Sequence, residues 1–176
     1  MRKAADQKPI ANPAPQSGLA PCNFMSKLHQ SFPLDQSTYY LIIRTSMHLK
    51  TALYRALHNS GLGITPEQWS VLCCLWEEDG LNHAEIAKRT GRDKFTITRI
   101  INLLEKKDLV RRAPDSQDRR RSNIHLTRDG ADLKEPLTQT VERFSQKAFD
   151  GLSENDVEHL RRIQNKILRN LDSHDF

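Results

Sequence analysis

The sequence lacks most features of an exported or membrane-bound protein. Its three cysteines, Cys22, Cys73 and Cys74, form neither a CxxC pair nor an even-numbered disulfide framework. No apolar run approaches the roughly 20 residues that a membrane-spanning helix needs. The first 30 residues contain no continuous apolar segment of a secretory signal. These absences predict a reduced, cytoplasmic protein with no membrane partner.

The sequence also lacks the motifs of common enzyme classes. It has no glycine-rich phosphate loop, no nucleophile elbow and no HExxH metal motif. Its seven histidines are scattered along the chain, as surface or hydrogen-bonded histidines are, and assemble no ligand set. We therefore predict a protein that is not an enzyme, with no catalytic residues, no metal site and no cofactor.

Positive charge is concentrated in one segment. The chain has 27 Lys and Arg residues against 22 Asp and Glu residues, a formal net charge of +5. Residues 88–121 contain twelve basic and five acidic side chains, so this segment carries the whole surplus. A localised basic footprint indicates a polyanionic partner, with a solvated charged face as the alternative.

The first 34 residues differ from the rest of the chain. They hold five of the eight prolines among scattered polar residues. Such a stretch cannot bury enough apolar area to offset the entropy lost on ordering. We predict a disordered tail over 1–34, with Met25 as a candidate natural start, followed by one domain over 35–172.

Two helices are predicted at the start of this domain. Apolar residues at three-and-four spacing predict a first helix over 35–60, which Gly61 ends. Thr65 and Gln68 fit a capping box that opens a second helix. Gly80 ends that helix.

The next two helices form a candidate helix-turn-helix. Asn82 caps a short helix that runs through Arg89, and Asp93 caps another that runs to about Lys107. A short turn containing Gly91 joins them. Two helices joined in this way are typical of a DNA-binding helix-turn-helix, although many helical bundles contain the same pattern.

A β-hairpin follows directly. Residues 109–113 and 122–126 read as two short strands around a turn, and arginines lie at the tip. Thr127 then caps a long helix to about 149 that Pro136 should kink, and a last amphipathic helix follows Gly151. The predicted fold is mainly α with a small β-hairpin wing: a winged helix-turn-helix lobe plus a helical region.

Four segments of the sequence resemble the MarR (multiple antibiotic resistance regulator) family of winged-helix repressors. They are TPEQWSVL at 65–72, HAEIAKRTG at 83–91, TITRIINLLEKKDLVRR at 96–112 and DSQDRRRSNIHLTRDG at 115–130. The most specific part of the resemblance is the Asp-x-Arg motif formed by Asp118 and Arg120. It is followed by a strand that ends Leu-Thr and by a glycine three residues later.

The resemblance covers about 35–172 and implies an obligate homodimer. In it, 35–60 and 128–172 form interleaved dimerisation helices, and 65–127 forms the DNA-binding lobe. It also implies sequence-specific binding to an inverted-repeat operator in duplex DNA, usually relieved by a small phenolic ligand or an oxidant. Where the family often has glycine, this chain has Asp108. Because aspartate tolerates left-handed backbone better than most residues, we expect a preserved turn with slight strain.

The fourth helix is the predicted recognition helix, because a helix in the major groove presents side chains near its N-terminal end to the bases. With the inward isoleucines set aside, the outward residues are Asp93, Lys94, Phe95, Thr96, Thr98, Arg99 and Asn102. Arg99 suits a guanine or a phosphate. Phe95 suits either a thymine methyl group or packing beneath the short third helix.

Two further groups complete the predicted DNA contacts. Asn82 and His83 lie at the N-terminus of the third helix, where free N–H groups and the helix dipole favour a phosphate. The hairpin tip carries Asp118, Arg119, Arg120 and Arg121. By the family resemblance, Arg120 enters the minor groove, and Asp118 orients it through a carboxylate–guanidinium pair. A flexible, solvated loop is the alternative for this tip.

A ligand pocket is expected, by comparison with the family, between the first two helices and the base of the lobe. Its candidate lining residues are Tyr39, Tyr40, Arg44, His48 and Trp69. A cationic side chain there suits a carboxylate and an aromatic ring suits stacking, so the expected partner is a small aromatic or phenolic ligand. Packing in the dimer interface is the alternative for these residues.

Other functions remain open from the sequence. A thiol-based redox regulator needs an activated cysteine, whereas Cys73 and Cys74 lie mid-helix among apolar residues and Cys22 lies in the tail. A non-specific architectural or RNA-binding winged helix would show no preference for an inverted repeat. A protein-interaction module would not need Arg99 or Arg120 for any binding to nucleic acid.

Overall fold

The computed structural model describes Leu34, residues 37–114 and residues 122–173. The tail predicted over 1–34, with its cysteine, lies outside the described residues apart from Leu34. The chain divides into two compact units, residues 1–42 and 43–176. In the first unit, the Ser37 hydroxyl accepts a hydrogen bond from the backbone N–H of Tyr40 (3.4 Å) in the first turn of a helix.

Seven helices and three strands make up the described part of the chain. In chain order they are α1 (Thr38–Asn59), α2 (Pro66–Glu77), β1 (Leu81–Asn82), α3 (His83–Thr90), α4 (Lys94–Glu105), β2 (Val110–Pro114), β3 (Ser122–Leu126), α5 (Arg128–Asp132), α6 (Lys134–Ala148) and α7 (Glu154–Ser173). The predicted class, mainly α with a small β wing, is confirmed. None of the described helices is long and apolar enough to cross a membrane.

Side-chain caps fix where the helices of the lobe begin. The capping box predicted at Thr65 with Gln68 is present, and the cap predicted at Asn82 is a capping box with Glu85. Asp93 caps α4 by accepting from the backbone N–H of Thr96 at 2.8 Å. Each cap satisfies N–H groups that have no partner inside the helix, which is why these short polar residues predicted the boundaries.

The sheet has the order β1-β3-β2, and both pairings are antiparallel. The predicted hairpin is confirmed, with Val110 opposite Leu126 and Pro114 opposite Ser122. The third strand, β1, was not predicted from the sequence. Its two residues are too few to display the alternation that marks a strand, and only the pairing of Leu81 with Ile124 defines it.

The long helix predicted after Thr127 is wrong as one element, because the chain forms α5 and α6 instead. The break falls at Leu133, three residues before Pro136. Proline has no N–H to donate to the carbonyl of Asp132, and its ring clashes with that carbonyl. Leu133 itself has helical backbone angles, φ −71° and ψ −12°, so the interruption between the two helices is confined to one residue.

The core lies where α2, α3, α4 and the sheet meet. Its fully buried side chains include Leu72, Ile86, Ile97, Ile101 and Ile124. The isoleucines of α4 were predicted to face inward, and this is confirmed. The lobe therefore holds α4 by one apolar side and leaves its other side accessible.

Helix α7 has no buried residue at all, and Leu57 is the one buried residue of α1. The sequence predicted an inward apolar face on α7, made of Val157, Leu160, Ile163, Ile167, Leu168 and Leu171. That expectation is wrong within a single chain, because Ile163 is 50% and Leu168 57% exposed. Helical periodicity detects an apolar face, but it does not say which chain covers that face.

The connection from α4 to β2 turns at Asp108, whose φ is 55°. The left-handed turn predicted at this position is confirmed. The Thr127 hydroxyl donates a hydrogen bond to the Asp108 carbonyl at 2.6 Å, and the Thr127 N–H donates to the Leu109 carbonyl at 3.1 Å. The turn therefore ties the end of α4 to the start of α5.

Candidate nucleic-acid interface

Helix α4 presents a polar face and one exposed aromatic ring to the outside. Ile97, Ile100, Ile101 and Leu104 are buried on its inner side. Phe95 is 83% exposed. The alternative that Phe95 packs beneath the short third helix is therefore wrong.

Several of the predicted DNA-contacting side chains are already hydrogen-bonded within the protein. The Asp93 carboxylate accepts from both the hydroxyl (2.6 Å) and the N–H of Thr96, and these bonds lower the pKa of Asp93. The Thr98 hydroxyl donates to the Lys94 carbonyl at 2.8 Å. The polar groups of Asp93, Thr96 and Thr98 therefore form hydrogen bonds that stabilise the start of α4.

Asn102 is part of a link between α4 and the wing. Its side-chain oxygen accepts a hydrogen bond from Arg112 on β2, and Arg112 also forms an ion pair with Glu105 at the end of α4. The sequence analysis missed both Arg112 and Glu105. The three-residue spacing of Asn102 and Glu105, which puts them on one helix face, was the available signal.

The two cationic side chains of α4 differ from these polar side chains, because they are not engaged within the described part of the protein. Lys94 and Arg99 are exposed, and within the described ranges neither has an ion pair or a side-chain hydrogen bond. Their charges are therefore available to an external anion. Both lie in the first half of α4, the part of a recognition helix that approaches base edges.

At the start of α3 the structure gives less support to the predicted phosphate site. The N–H groups of Ala84 and Glu85 already donate to the Asn82 side chain, at 2.9 and 3.2 Å. His83 is half-buried, and burial together with the nearby Arg112 guanidinium lowers its pKa. A neutral imidazole attracts a phosphate less strongly than a charged one.

The predicted wing-tip contacts, Asp118, Arg119, Arg120 and Arg121, lie outside the described residues. At the base of the wing, Asp79 accepts from the Leu126 N–H and contacts His125 Nδ1, both at 2.8 Å. Burial acts to raise the pKa of Asp79, but these hydrogen bonds outweigh burial and lower it. Sequence reasoning missed this link, which joins residues 46 and 47 positions apart.

The two described cysteines are poor candidates for a reactive thiol. Burial raises the pKa of Cys73 to about 11 and raises that of Cys74 as well. Thiolate is the reactive form of cysteine, so burial keeps both side chains in the unreactive form at neutral pH. This agrees with the inert role predicted for them.

The predicted ligand residues are spread over different places. Trp69 lines a groove of about 580 Å³ between α2 and α6, and Trp76, Lys134 and Val141 also line it. Arg44 and His48, exposed on α1, are not among its lining residues. In the first unit, Tyr39 is exposed and Tyr40 is half-buried. Trp76 and Lys134 were not predicted as ligand residues.

No group of three His, Cys, Asp or Glu side chains in the described part of the chain is arranged to hold a metal ion.

The fold and the outward cations of α4 define a winged helix-turn-helix protein, and comparisons with known proteins show which family it resembles. Residues 64–122 match the MarR family model. The chain is 28% identical over 129 residues to the HTH-type transcriptional repressor NicR of Pseudomonas putida, covering 70% of this chain and 81% of NicR. The chain is therefore similar to the MarR family of DNA-binding transcriptional regulators, with the family-model match confined to the winged lobe.

Two solved structures support this assignment. A mutant MarR from E. coli complexed with operator DNA has a TM-score of 0.68 and 29% identity, covering 73% of this chain and 91% of that one. CouR from Rhodococcus jostii RHA1, bound to p-coumaroyl-CoA, has a TM-score of 0.69 and 25% identity, covering 78% and 95%. NicR is described as a transcriptional repressor, and TtmR of Methylorubrum extorquens and MgrA of Staphylococcus aureus are described as transcriptional regulators.

Proposed function

We propose that the protein is a homodimeric repressor that binds an inverted-repeat operator in the cytoplasm by placing α4 in the major groove. The observation that carries this proposal is the outward face of α4, on which Lys94 and Arg99 have no partner among the described residues. The major groove is about 12 Å wide and admits one α-helix. In this arrangement Arg99 reads a guanine and Lys94 contacts a phosphate.

The remaining predicted contacts take supporting roles. Asp93, Thr96 and Thr98 order the first turn of α4, and Asn102 fixes α4 against β2. Asn82 and His83 lie close to the DNA backbone without supplying the main charge. By family resemblance, Arg119, Arg120 and Arg121 approach the adjacent minor groove, with Asp118 orienting Arg120.

Exposed apolar side chains on α1 and α7 support a dimer. On α1, Met47 is 65% and Tyr54 51% exposed, and on α7 no residue is fully buried. Large exposed apolar patches are uncommon on monomers and mark interaction surfaces. We assign 35–60 and 128–172 to the dimer region and 65–127 to the DNA-binding lobe. A two-fold axis would place the recognition helices about 34 Å apart and require half-sites one helical turn apart.

Replacing Arg99 by alanine should weaken binding to the operator about 10- to 100-fold, because one arginine–guanine contact contributes about 1–3 kcal/mol. The operator is first recovered by selection from a random duplex pool with the full chain. Fluorescence anisotropy then measures the affinity for the operator and for a scrambled duplex over a range of salt concentrations.

Arg128→Ala is the matched control. Arg128 carries the same charge and its side chain is 92% exposed, but it is the first residue of α5 and pairs with Asp132 of the same helix at 3.7 Å. It should leave operator affinity nearly unchanged. If both variants weaken operator and scrambled duplex equally, the chain coats DNA without reading it, and the architectural function is the correct one.

We also propose that a small planar aromatic acid regulates DNA binding from the groove between α2 and α6. Trp69 and Trp76 offer ring faces for stacking, and Lys134 offers a cation for a carboxylate. The structure of CouR with p-coumaroyl-CoA supports aromatic ligands for a relative. Of the five residues predicted for a pocket, only Trp69 is retained in this proposal.

Titration with 4-hydroxybenzoate or 4-hydroxycinnamate should quench tryptophan fluorescence, because both tryptophans of the chain line the groove. Lys134→Ala should weaken binding about tenfold, since a hydrogen bond to a charged group contributes about 1.5–3 kcal/mol. Lys147→Ala is the control, because Lys147 lies on the same helix but lines a different groove. Equal affinities for the two variants would contradict this site.

A further inference from the structure

Phe95 occupies an unusual position for a large apolar side chain. Successive residues of an α-helix are rotated by about 100°, so Phe95 points almost directly away from the buried Ile97 and Leu104. It is the second residue of α4 and is 83% exposed, compared with 41% for Leu103 on the same helix. The ring is therefore presented at the N-terminal end of α4 with little cover from the described residues.

The chemistry of a phenyl ring limits what it recognises in a DNA groove. It has no donor or acceptor, so it forms no hydrogen bond to a phosphate or to a polar base edge. Among the four standard bases, thymine alone presents an apolar group, its C5-methyl, in the major groove, and phenylalanine is one of the side chains that contact it. An exposed ring at this place is thus suited to thymine.

The polar side chains around Phe95 strengthen this assignment. The Thr96 and Thr98 hydroxyls both donate within the protein, at 2.6 and 2.8 Å. With these donors engaged, Phe95 and Arg99 are the large exposed side chains of this half of α4 that suit base recognition, while Lys94 suits a phosphate. The two are four residues apart, a rise of about 6 Å along the helix, which corresponds to about two base-pair steps.

We propose that Phe95 is a specificity-determining residue that reads the methyl group of a thymine lying within about two base pairs of the guanine bound by Arg99. This assignment rests on the proposed function, because it requires α4 to enter the major groove. It adds the identity of a base in the half-site and the atom that is recognised.

The test removes single methyl groups from the operator recovered by selection. Each thymine near the conserved guanine is replaced in turn by uracil, which keeps the hydrogen-bonding edge and loses only the methyl. At one position this should weaken binding about fourfold, the equivalent of about 0.8 kcal/mol for one buried carbon group at 1.4 kcal/mol per tenfold. In Phe95→Ala the same replacement should have no effect.

Leu103→Ala is the control, since Leu103 is another exposed apolar residue of α4, two turns further along. This variant should retain the full response to uracil. Because Phe95 makes no buried contact, its replacement should leave the thermal unfolding temperature unchanged. Two outcomes would overturn the Phe95 assignment and leave the proposed function intact. One is a recovered operator whose thymines all tolerate uracil, and the other is a Phe95→Ala protein that still responds to the replacement. Failure to recover any preferred sequence overturns it together with the proposed function.

Discussion

Gly130→Ala should lower the free energy of unfolding of the protein by about 3 kcal/mol, near the upper end for overpacking a closed site. A Cβ atom on Gly130 would lie 2.0 Å from the carbonyl oxygen of Leu109. This oxygen cannot move away easily, because it accepts a hydrogen bond from the N–H of Thr127. The carbonyl of Gly130 is itself held at 3.0 Å by the indole N–H of Trp76.

Gly151→Ala provides the comparison. Gly151 has a φ of +80°, and a Cβ atom at this position would have no neighbouring atom within 4 Å, so alanine there meets backbone strain and no collision. The expected cost is about 1–2 kcal/mol. Urea unfolding followed by circular dichroism measures both variants. If Gly130→Ala is no less stable than Gly151→Ala, then α5 can move away from the end of α4 at little cost.

Replacing Ile163 and Leu168 together by glutamate should convert the proposed dimer to a monomer and reduce operator affinity by a factor of about 100 or more. These side chains are 50% and 57% exposed in the single chain and form part of the apolar face of α7. A glutamate buried at the interface would be an unpaired charge in an apolar environment, which strongly disfavours association. Two linked lobes gain about 10²- to 10⁴-fold in binding over one lobe, and a monomer loses that gain.

The control applies the same charge change to the polar side of α7. Asn165→Glu with Arg169→Gln also changes the charge by −2, and both residues are exposed. Sedimentation velocity and anisotropy on the same samples report assembly and DNA binding. Since α7 has no buried residue in the single chain, the lobe should keep its fold in both variants. A double glutamate variant that remains dimeric would place the interface elsewhere.

Local rules predicted most of the lobe. The caps at Thr65, Asn82 and Asp93 are made by side chains that accept from N–H groups two or three residues away. Acceptor and donor therefore lie within one short segment of the sequence, which makes such caps predictable. The left-handed turn at Asp108 was predicted instead from the glycine that the MarR family often has at this position and from the tolerance of aspartate for left-handed backbone. Inward isoleucines at helical spacing then identified which side of α4 faces outward.

Contacts between distant residues were not predictable in this way. Trp76 donates to a carbonyl 54 positions away, and Asp79 meets His125 46 positions away. Helical spacing predicted Thr98 and Asn102 as outward residues, which they are, but not that their polar groups have partners in the protein. Such partnering depends on side-chain geometry, and it decides which outward residues are free to bind DNA.

The hydrogen bond between Trp76 and Gly130 also has a consequence for signalling through the chain. A ligand that rotates the indole in its groove must break this bond and leave a buried carbonyl unsatisfied, at a cost of about 1–3 kcal/mol. Loss of this bond would destabilise α5, because Gly130 of α5 packs against the carbonyl of Leu109, which follows α4 in the chain. Allosteric coupling energies are typically of the same size and change affinity by about 5- to 150-fold. In the proposed regulation from this groove, the Trp76 indole would therefore be the link between a bound ligand and α4.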